Sequence, residues 1–366
     1  MRIGRFTIFI TTLLLFLYIT NLVVYEALAS IFGLTTQLQL FLLGLGLGVL
    51  SGSFIVASIV GSYFYNWGTR VYYTLSAVWI GFFAYLFFAS VLYGISVGIT
   101  GALMPQVGMA LIGLAVAVSI YGVLHARKIY IKEVKVALPN LPAQWKGRKA
   151  VWVSDLHLGQ LHGPLFAKRV VDMINTLPHD VVFIGGDLYD GTGAPDIEEL
   201  AQPLGKCKAP LGVYYITGNH EEYGDSERFL KAIRAAGIRT LIDEMVAIDE
   251  LQLIGVDYRN ASNTGAFEKI LAGFSIDSGK PSILLKHEPK DLAVAEKAGI
   301  SLQISGHTHR GQQWPFEYIA RLVYKGYAYG LKRFKNMQVC VSSGTGTWGP
   351  PLRVGTNCEI VVFTFV

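Results

Sequence analysis

The chain has 366 residues, of which 52% are hydrophobic and 16% are charged, and its formal net charge is +5. An average soluble domain has about 25% charged residues. The shortfall lies in the first 125 residues, whose four charged side chains are Arg2, Arg5, Glu26 and Arg70. This distribution excludes a single soluble globule and a wholly membrane-embedded protein, and the 20 Phe and 19 Tyr exclude a disordered chain.

The first region contains four apolar stretches that are long enough to cross a bilayer, which takes about 20 apolar residues in a helix. We predict membrane-spanning helices near residues 6–25, 39–62, 72–93 and 103–124. The first stretch is too long for the core of a cleaved signal peptide, and another span follows it. No charged side chain lies deep in a span, which favours an anchor over a transporter. Residues 1–125 are therefore predicted to be a transmembrane region.

The basic residues outside the spans predict the orientation in the membrane. They precede the first span, separate the second from the third and follow the fourth: Arg2, Arg5, Arg70, Arg127, Lys128, Lys132 and Lys135. The other two connections carry neither Lys nor Arg. We therefore expect a multi-pass protein of the cell inner (cytoplasmic) membrane, with both termini and the large C-terminal region in the cytoplasm.

Beyond the spans, residues 126–147 are predicted to form a basic connector that contains Pro139 and Pro142. After this connector, predicted strands alternate with predicted helices. We predict strands over residues 149–154, 181–184, 212–217, 251–255, 282–285, 302–304, 338–341 and 359–365. We predict helices over residues 165–177, 225–236 and 267–274. Alternation of this kind is typical of an α/β sheet protein.

Polar motifs follow five of the predicted strands. They are Asp155-Leu156-His157, Gly186-Asp187-Leu188-Tyr189-Asp190, Gly218-Asn219-His220-Glu221, Lys286-His287-Glu288-Pro289 and Gly306-His307-Thr308-His309. In open α/β sheets, ligands bind beyond the carboxyl ends of the strands. Five of the eight histidines lie at these ends, and we interpret the other three, His125, His162 and His179, as surface or junction residues. The sequence therefore predicts one shared site.

The types of side chain in these motifs indicate a metal site. The cysteines are not clustered, which excludes a structural zinc site. Carboxylate, imidazole and amide ligands together suit manganese, iron or zinc. There are more ligands than one ion needs, and two ions about 3.5–4 Å apart with a bridging carboxylate would use them all. Paired metals of this kind clamp the oxygens of an in-line displacement, commonly at phosphorus.

Taken in order, Asp-x-His, Gly-Asp-x-x-Asp, Gly-Asn-His-Glu, a single His and Gly-His-x-His resemble the calcineurin-like metallophosphoesterase superfamily over residues 148–366. The Gly-His-Thr-His-x-Gly-Gln form and the anchored layout resemble its bacterial membrane-anchored subgroup. The resemblance implies an α/β fold, a four-layered α/β/β/α sandwich following the bundle of about four transmembrane helices. It also implies a hydrolase acting on phosphoester bonds, with its catalytic domain over residues 148–366.

The same resemblance implies a role for each site residue. Asp155, His157 and His309 would hold the first metal, Asp187 would bridge both, and Asn219, His287 and His307 would hold the second. His220 would face the substrate and protonate the leaving group, and Asp190 would orient His220 through a hydrogen bond. The nucleophile would be a hydroxide that bridges the metals. We expect two divalent ions, manganese first, with iron and zinc as alternatives.

Two arginines are further candidates for substrate binding. Arg310 stands where many members of the superfamily have Gly, and a guanidinium there would pair with a phosphate. A solvated loop arginine is an equal alternative. Arg353 ends the glycine-rich stretch 342–353 and is the second candidate for a phosphate contact. An ordinary turn between two strands is the alternative for that stretch.

The segment from Trp314 to Lys335 interleaves aromatic and basic residues. The aromatic ones are Trp314, Phe316, Tyr318, Tyr324, Tyr327, Tyr329 and Phe334, and the basic ones are Arg321, Lys325, Lys332, Arg333 and Lys335. Such a segment suits an anionic membrane surface. Packing of the aromatic rings on the domain is an equal alternative, and stacking on single-stranded nucleic acid is the least favoured.

The substrate predicted from these features is a phosphodiester or pyrophosphate bond, lipid-linked because an enzyme fixed to the bilayer meets amphiphiles at high effective concentration. The resemblance adds UDP-diacylglucosamine, whose pyrophosphate some members of the superfamily cleave. One alternative is a phosphatase or nucleotide phosphodiesterase acting on soluble substrates. Another is a membrane sensor or scaffold with a non-catalytic metal site. The sequence leaves the oligomeric state open.

Overall fold

The computed structural model describes residues 2–191 and 197–366. The side chains of residues 2–10 and of Leu13 lie outside this description, and these include the two basic residues that precede the first predicted span. The chain divides into two compact units. The first comprises residues 1–60, 67–124 and 349–352, and the second comprises residues 61–66, 125–348 and 353–366.

The first unit is built from four long helices. They are α1 (Arg2–Ile31), α2 (Gln37–Tyr63), α3 (Trp67–Thr100) and α4 (Pro105–Ala126). Each is long and apolar enough to cross a membrane, as predicted from the sequence. Val24, Leu47, Phe83 and Leu86 pack together inside this unit, whereas many other apolar side chains face outward, as lipid-facing residues do.

The second unit contains two six-stranded sheets and, in its described part, seven α-helices. The strands are β1 (Ile129–Val136), β2 (Lys149–Val153), β3 (Val181–Ile184), β4 (Val213–Tyr215), β5 (Arg239–Thr240), β6 (Glu244–Ile248), β7 (Leu251–Gly255), β8 (Ser282–Leu285), β9 (Leu302–Ser305), β10 (Gly330–Phe334), β11 (Met337–Val341) and β12 (Cys358–Phe365). The helices are α5 (Pro164–Thr176), α6 (Ile197–Ala201), α7 (Ser226–Ala235), α8 (Tyr258–Ala261), α9 (Thr264–Ala272), α10 (Leu292–Lys297) and α11 (Phe316–Val323).

The two sheets are mixed, with parallel strands at their centres. The first sheet has the order β1-β12-β2-β3-β4-β5, and the second has the order β10-β11-β9-β8-β7-β6. In the first sheet β2, β3 and β4 are parallel neighbours. In the second, β7, β8 and β9 are parallel neighbours. These parallel groups carry all five polar motifs at their carboxyl ends.

Alternation along the strands creates three apolar layers. In β2, Val151 and Val153 pack in the cluster with the helices α5, α6 and α7, whereas Trp152 faces the cluster between the sheets. In β8, Leu285 joins the cluster between the sheets, and Leu284 packs with α9 and α10. Successive side chains of a strand point to opposite faces, so two apolar faces on each sheet give the predicted order α/β/β/α.

The predicted connector over residues 126–147 is in part a strand. The whole of β1 lies within it and pairs in parallel with β12, from Ile129 opposite Cys358 to Val136 opposite Phe365. Val134 and Val136 are buried between the sheets, Lys135 is exposed, and Lys132 is partly buried with its Nζ over the ring of Tyr329. The lysines of this stretch therefore belong to an edge strand and not to a solvated link.

Candidate metal centre

The two sheets bring the five motifs together at one edge. The loops after β2, β3 and β4 supply side chains from the first sheet, and the loops after β8 and β9 supply them from the second. Within residues 2–191 and 197–366, three groups of side chains have potential ligand atoms within 4.8 Å of one another. These are Asp155, His157 and His309; Asp187, His287 and His307; and His157, Asp187 and His220.

The first group is deeply buried. His157 Nε2 lies 3.1 Å from His309 Nε2, and His309 Nε2 lies 3.6 Å from Asp155 Oδ1. The carboxylate of Asp155 accepts a hydrogen bond of 2.5 Å from Ser154 Oγ and another of 2.9 Å from the backbone N–H of His307. These donors hold the carboxylate in place, as groups behind metal ligands commonly do.

The second group is joined to the first by Asp187. Asp187 Oδ2 lies 3.1 Å from His287 Nε2 and 3.9 Å from His157 Nε2, so one carboxylate reaches both groups. His287 Nε2 is also 3.2 Å from His307 Nδ1. The other ring nitrogen of His287, Nδ1, donates to the carbonyl of Gly185 at 2.7 Å, which leaves Nε2 directed at the cluster.

The backbone of the site is held in an uncommon conformation. Asp155, His157, Asp187, His307 and His309 all have positive φ, between 46° and 69°. Side chains other than Gly adopt this region rarely, and such residues concentrate at functional sites. The neighbouring glycines are required sterically: a Cβ at Gly218 would collide with Asp187, and a Cβ at Gly306 would collide with Asp155 and Ser154.

Asn219 provides a test of whether the residues fit metal ions. Its Nδ2 donates to the hydroxyl of Tyr223 at 3.1 Å, but its buried Oδ1 has no hydrogen-bond partner among the described residues. A buried acceptor without a partner is costly, and an amide oxygen is a ligand that divalent ions accept. Together with two carboxylates and four imidazoles, this oxygen fits a pair of divalent ions.

His220 lies beside the cluster, and Asp190 contacts it in an unexpected way. His220 Nδ1 donates to the backbone carbonyl of Asp190 at 3.2 Å, whereas the Asp190 carboxylate is 3.9 Å away. That carboxylate is closer to His157 Nδ1, at 3.5 Å. The contact that orients His220 is therefore made by the main chain of Asp190, and the predicted side-chain hydrogen bond is not present.

Glu221 has a structural role that was not predicted from the sequence. Its buried carboxylate accepts hydrogen bonds from the backbone N–H groups of Asp187, Leu188, Tyr189 and Gly218. It therefore fixes the loop after β3 against the loop after β4. Burial, and then the charge of Asp187, raise the pKa of Glu221 to about 7. The only sequence signal was its place next to His220 in the Gly-Asn-His-Glu motif.

The charged side chains of the cluster shift one another's pKa values. Burial would raise the pKa of Asp187, but the charge and hydrogen bond of His287 outweigh burial and hold it well below its usual range. Burial would lower the pKa of His287, but the Asp187 charge and hydrogen bond raise it to about 10. Burial, and then the charge of His287, lower the pKa of His307 to about 4. At neutral pH the cluster without ions therefore contains a buried ion pair.

The two arginines predicted to bind substrate have other partners. Arg353 is fully buried, and its guanidinium donates to the carbonyls of His309, Ser343 and Gly346 at 2.6–2.9 Å. This burial contradicts a phosphate contact and makes Arg353 a support for His309. Arg310 is partly exposed, lies 3.3 Å from Glu317 and stacks over the ring of Tyr329, so a substrate contact by Arg310 stays a prediction.

Two mixed sheets between helical layers, with a cluster of Asp, Asn and His at the carboxyl ends of their strands, are the architecture of a metal-dependent phosphoesterase. The sequence model of the calcineurin-like phosphoesterase family matches residues 149–311. A metallophosphoesterase of Aquifex aeolicus is 31% identical over 263 residues, which are 69% of this chain and 97% of that protein. The chain belongs to the calcineurin-like metallophosphoesterase family.

Two other relatives are named as metallophosphoesterases and match the chain over part of their own length. A metallophosphoesterase of Helicobacter pylori is 36% identical over 236 residues, 63% of this chain and 62% of that protein. The transmembrane protein with metallophosphoesterase domain of Danio rerio is 34% identical over 273 residues, 70% of this chain and 61% of that protein. The matched region thus spans about three fifths of the length of these relatives.

Proposed function

We propose that the protein is a membrane-anchored, metal-dependent phosphoesterase that hydrolyses a phosphodiester or pyrophosphate bond. The observation that carries the proposal is the pair of ligand groups joined by Asp187, with His220 at their side. We assign Asp155, His157 and His309 to one ion, Asn219, His287 and His307 to the other, and Asp187 to both. Bound there, two divalent ions, with manganese as the first choice, would supply a nucleophilic water and stabilise charge on the phosphoryl oxygens.

The chain's own residues would position the substrate and move one proton. Because Nδ1 of His220 is committed to the carbonyl of Asp190, Nε2 is the nitrogen left to give a proton to the leaving oxygen. The ring is packed edge-on against Tyr223 and His157, so its orientation is fixed before substrate binds. Burial of the ligand groups excludes bulk water and strengthens every electrostatic interaction within the site.

The substrate and the location are further parts of the proposal. Four helices able to cross a membrane fix the phosphoesterase unit to a bilayer, and this supports a lipid-linked substrate such as UDP-diacylglucosamine. The excess of basic residues around the even number of spans supports the inner membrane with the catalytic side in the cytoplasm. The division into a transmembrane region, residues 1–125, and a catalytic domain, residues 148–366, belongs to the same proposal.

The first experiment measures hydrolysis by the full-length protein in detergent with Mn²⁺. We would compare UDP-diacylglucosamine with bis-p-nitrophenyl phosphate, using Asp187→Asn as the inactive variant and Asp172→Asn, at an exposed site on α5, as its matched control. We expect Asp187→Asn to lower turnover about a thousandfold or more, because it removes the carboxylate shared by both ions. Asp172→Asn should match the wild type.

The outcomes separate the candidate functions. Rapid cleavage of the lipid substrate places the enzyme in lipid head-group metabolism. Cleavage of the small diester alone keeps the phosphoesterase assignment and directs the search to soluble nucleotides or other lipids. Hydrolysis of neither substrate by protein that binds Mn²⁺ would overturn the proposal and favour a membrane sensor.

A further inference from the structure

Helix α11 carries its apolar face on the outside. Tyr318, Ile319, Leu322 and Val323 are 59%, 58%, 80% and 57% exposed, and no residue of this helix is buried. Tyr318 and Leu322 are four residues apart, as are Ile319 and Val323, and these two adjacent pairs form one side of the helix. An amphipathic helix of a soluble domain normally turns such a face to the core, so packing on the domain does not account for this one.

The surroundings of α11 are aromatic and basic. Trp314, directly before the helix, is 50% exposed. Arg321, Lys325 and Arg333 are exposed, and among the described residues no carboxylate forms an ion pair with them. An apolar face bordered by Trp, Tyr and cations is the composition of a helix that lies in the plane of a membrane interface.

The opposite side of α11 is tied to the metal centre. Glu317 pairs with Arg310, which follows the ligand His309 directly. The hydroxyl of Tyr324, just after the helix, donates to Glu288 at 3.2 Å, and its ring lies 6.1 Å from that of His307. A Cβ at Gly311 would collide with the backbone of Glu317. A partner that binds the exposed face of α11 would therefore lie close to the ligand group that contains His307.

We propose that the exposed face of α11, with Trp314 and the flanking basic residues, is a docking surface for an anionic lipid bilayer. Helix α4 ends at Ala126 and β1 begins at Ile129, so the chain enters this unit directly from a helix able to cross a membrane. The positive side chains complement anionic head groups. Four apolar side chains are far fewer than the roughly 20–30 residues a stable protein interface uses on each side.

The docked helix places the metal centre at lipid phosphates. Since α11 is fixed to the loop that carries His307 and His309, contact with the bilayer brings this side of the site to the head-group plane. The substrate would then be a phosphoester of an amphiphile that stays in the membrane during hydrolysis. This step rests on the proposed function, whereas membrane contact by α11 does not.

A label at Leu322 tests membrane contact without any measurement of activity. Full-length protein with Cys207→Ser and Leu322→Cys would be labelled with an environment-sensitive fluorophore, because the other two cysteines are buried. It would be placed in nanodiscs of phosphatidylcholine alone or mixed with phosphatidylglycerol, with spin-labelled lipid as quencher. The matched control is Lys280→Cys, an exposed residue just before β8, at the opposite end of that strand from His287.

We expect a blue shift and lipid quenching at position 322, stronger with phosphatidylglycerol and weak at position 280. Absence of quenching at 322, or equal quenching at both positions, would overturn the proposal. A blue shift that depends on protein concentration but not on lipid would show association between copies of the chain and would overturn it as well.

Turnover of two substrates tests the second step. The variant Leu322→Glu should lower hydrolysis of a nanodisc-embedded lipid phosphodiester about tenfold, because a charge replaces an apolar anchor. Hydrolysis of water-soluble bis-p-nitrophenyl phosphate should not change. Equal loss on both substrates, or loss on neither, would contradict a membrane-presented substrate. If the wild type cleaves neither substrate, the proposed function fails, while the fluorescence experiment still decides on membrane contact.

Discussion

The metal centre buries charged side chains, whereas helix α11 exposes apolar ones. In the centre Asp155, Asp187 and His287 are almost inaccessible to solvent, whereas on α11 Leu322 is one of the most exposed leucines of the second unit. Buried charges and exposed apolar patches are the informative exceptions in a folded protein. Neither feature is needed to close the three apolar layers, so each points to a partner outside the chain: ions for the centre and a surface for the helix.

The largest change in activity that tests the role of the metal centre is expected from replacing His220. We expect His220→Ala to lower kcat about 10²–10⁴-fold, the usual contribution of a positioned proton donor. Metal content, measured by atomic spectroscopy, should stay at the wild-type level because His220 lies outside the proposed ligand set. Loss of one bound ion would instead show that the group of His157, Asp187 and His220 binds metal.

Asp190 supplies the matched control for His220. Because the backbone carbonyl of Asp190 orients the imidazole, Asp190→Asn keeps that hydrogen bond and should lower kcat less than about tenfold. A loss as large as that of His220→Ala with unchanged metal content would show that the carboxylate moves to His220 when substrate or metal is bound. The same loss with lower metal content would show that the carboxylate acts through the proposed ligand His157.

Replacing Arg353 should have a large effect on the free energy of unfolding. Arg353→Met leaves three buried carbonyls without their donor, which costs about 3 kcal/mol at roughly 1 kcal/mol for each. We expect a lower Tm and weaker metal binding at the group that contains His309. Arg310→Met is the control, since its partly exposed ion pair is worth about 1 kcal/mol or less. Equal effects would show that burial of Arg353 has no special weight.

The affinity for metal should rise with pH. Because the pKa of His287 is raised to about 10 in the protein without ions, this side chain is protonated at neutral pH and must lose one proton to become a ligand. His307, with its pKa lowered to about 4, is already neutral and releases none. Although burial lowers it, the hydrogen bond of Asp190 and the charge of Asp187 together raise the pKa of His157, a second proposed ligand. The association constant for Mn²⁺ should therefore increase at least about tenfold for each pH unit between about pH 6 and pH 8.

Calorimetry in two buffers of different ionisation enthalpy checks this prediction by counting the protons released. His287→Gln removes the group with the most strongly raised pKa and should reduce the pH dependence, with weaker binding as a second effect. An affinity that does not vary with pH in the wild type would show that His287 is neutral before the ion arrives.

The interior of the fold was more predictable than its edges. Central strands such as Val181–Ile184 and Ser282–Leu285 are short, wholly apolar runs, and the structure has them at the predicted bounds. The edge strands β1 and β10 each contain an exposed lysine, Lys135 and Lys332, and their mixed composition did not indicate strands. Strands of both sheets have the same apolar character, which is why the division into two sheets came from the resemblance and not from strand patterns.

The site was predictable in its members but not in its supports. Histidines and aspartates just after apolar strands must meet when those strands are parallel neighbours, and they do. Arg353 could not be placed, because a charged residue in a glycine-rich stretch gives no sign of burial under His309. The role of Glu221 depends on backbone N–H groups from two loops, and no pattern of side chains records those. The helix α11 is too short for its spacing to stand out from the surrounding aromatic and basic residues.

The smallest expected effect is on the free energy of unfolding, and it tests whether the apolar face of α11 is exposed in solution. Because its side chain is exposed, Leu322→Ala should change the free energy of unfolding by no more than about 0.5 kcal/mol in detergent. Leu230→Ala on α7, a leucine buried against the first sheet, should lower it by about 2–5 kcal/mol. Chemical denaturation of full-length protein in detergent would measure both. A cost at Leu322 as large as that at Leu230 would mean that α11 is covered by protein in solution, and its apolar face would then need no membrane.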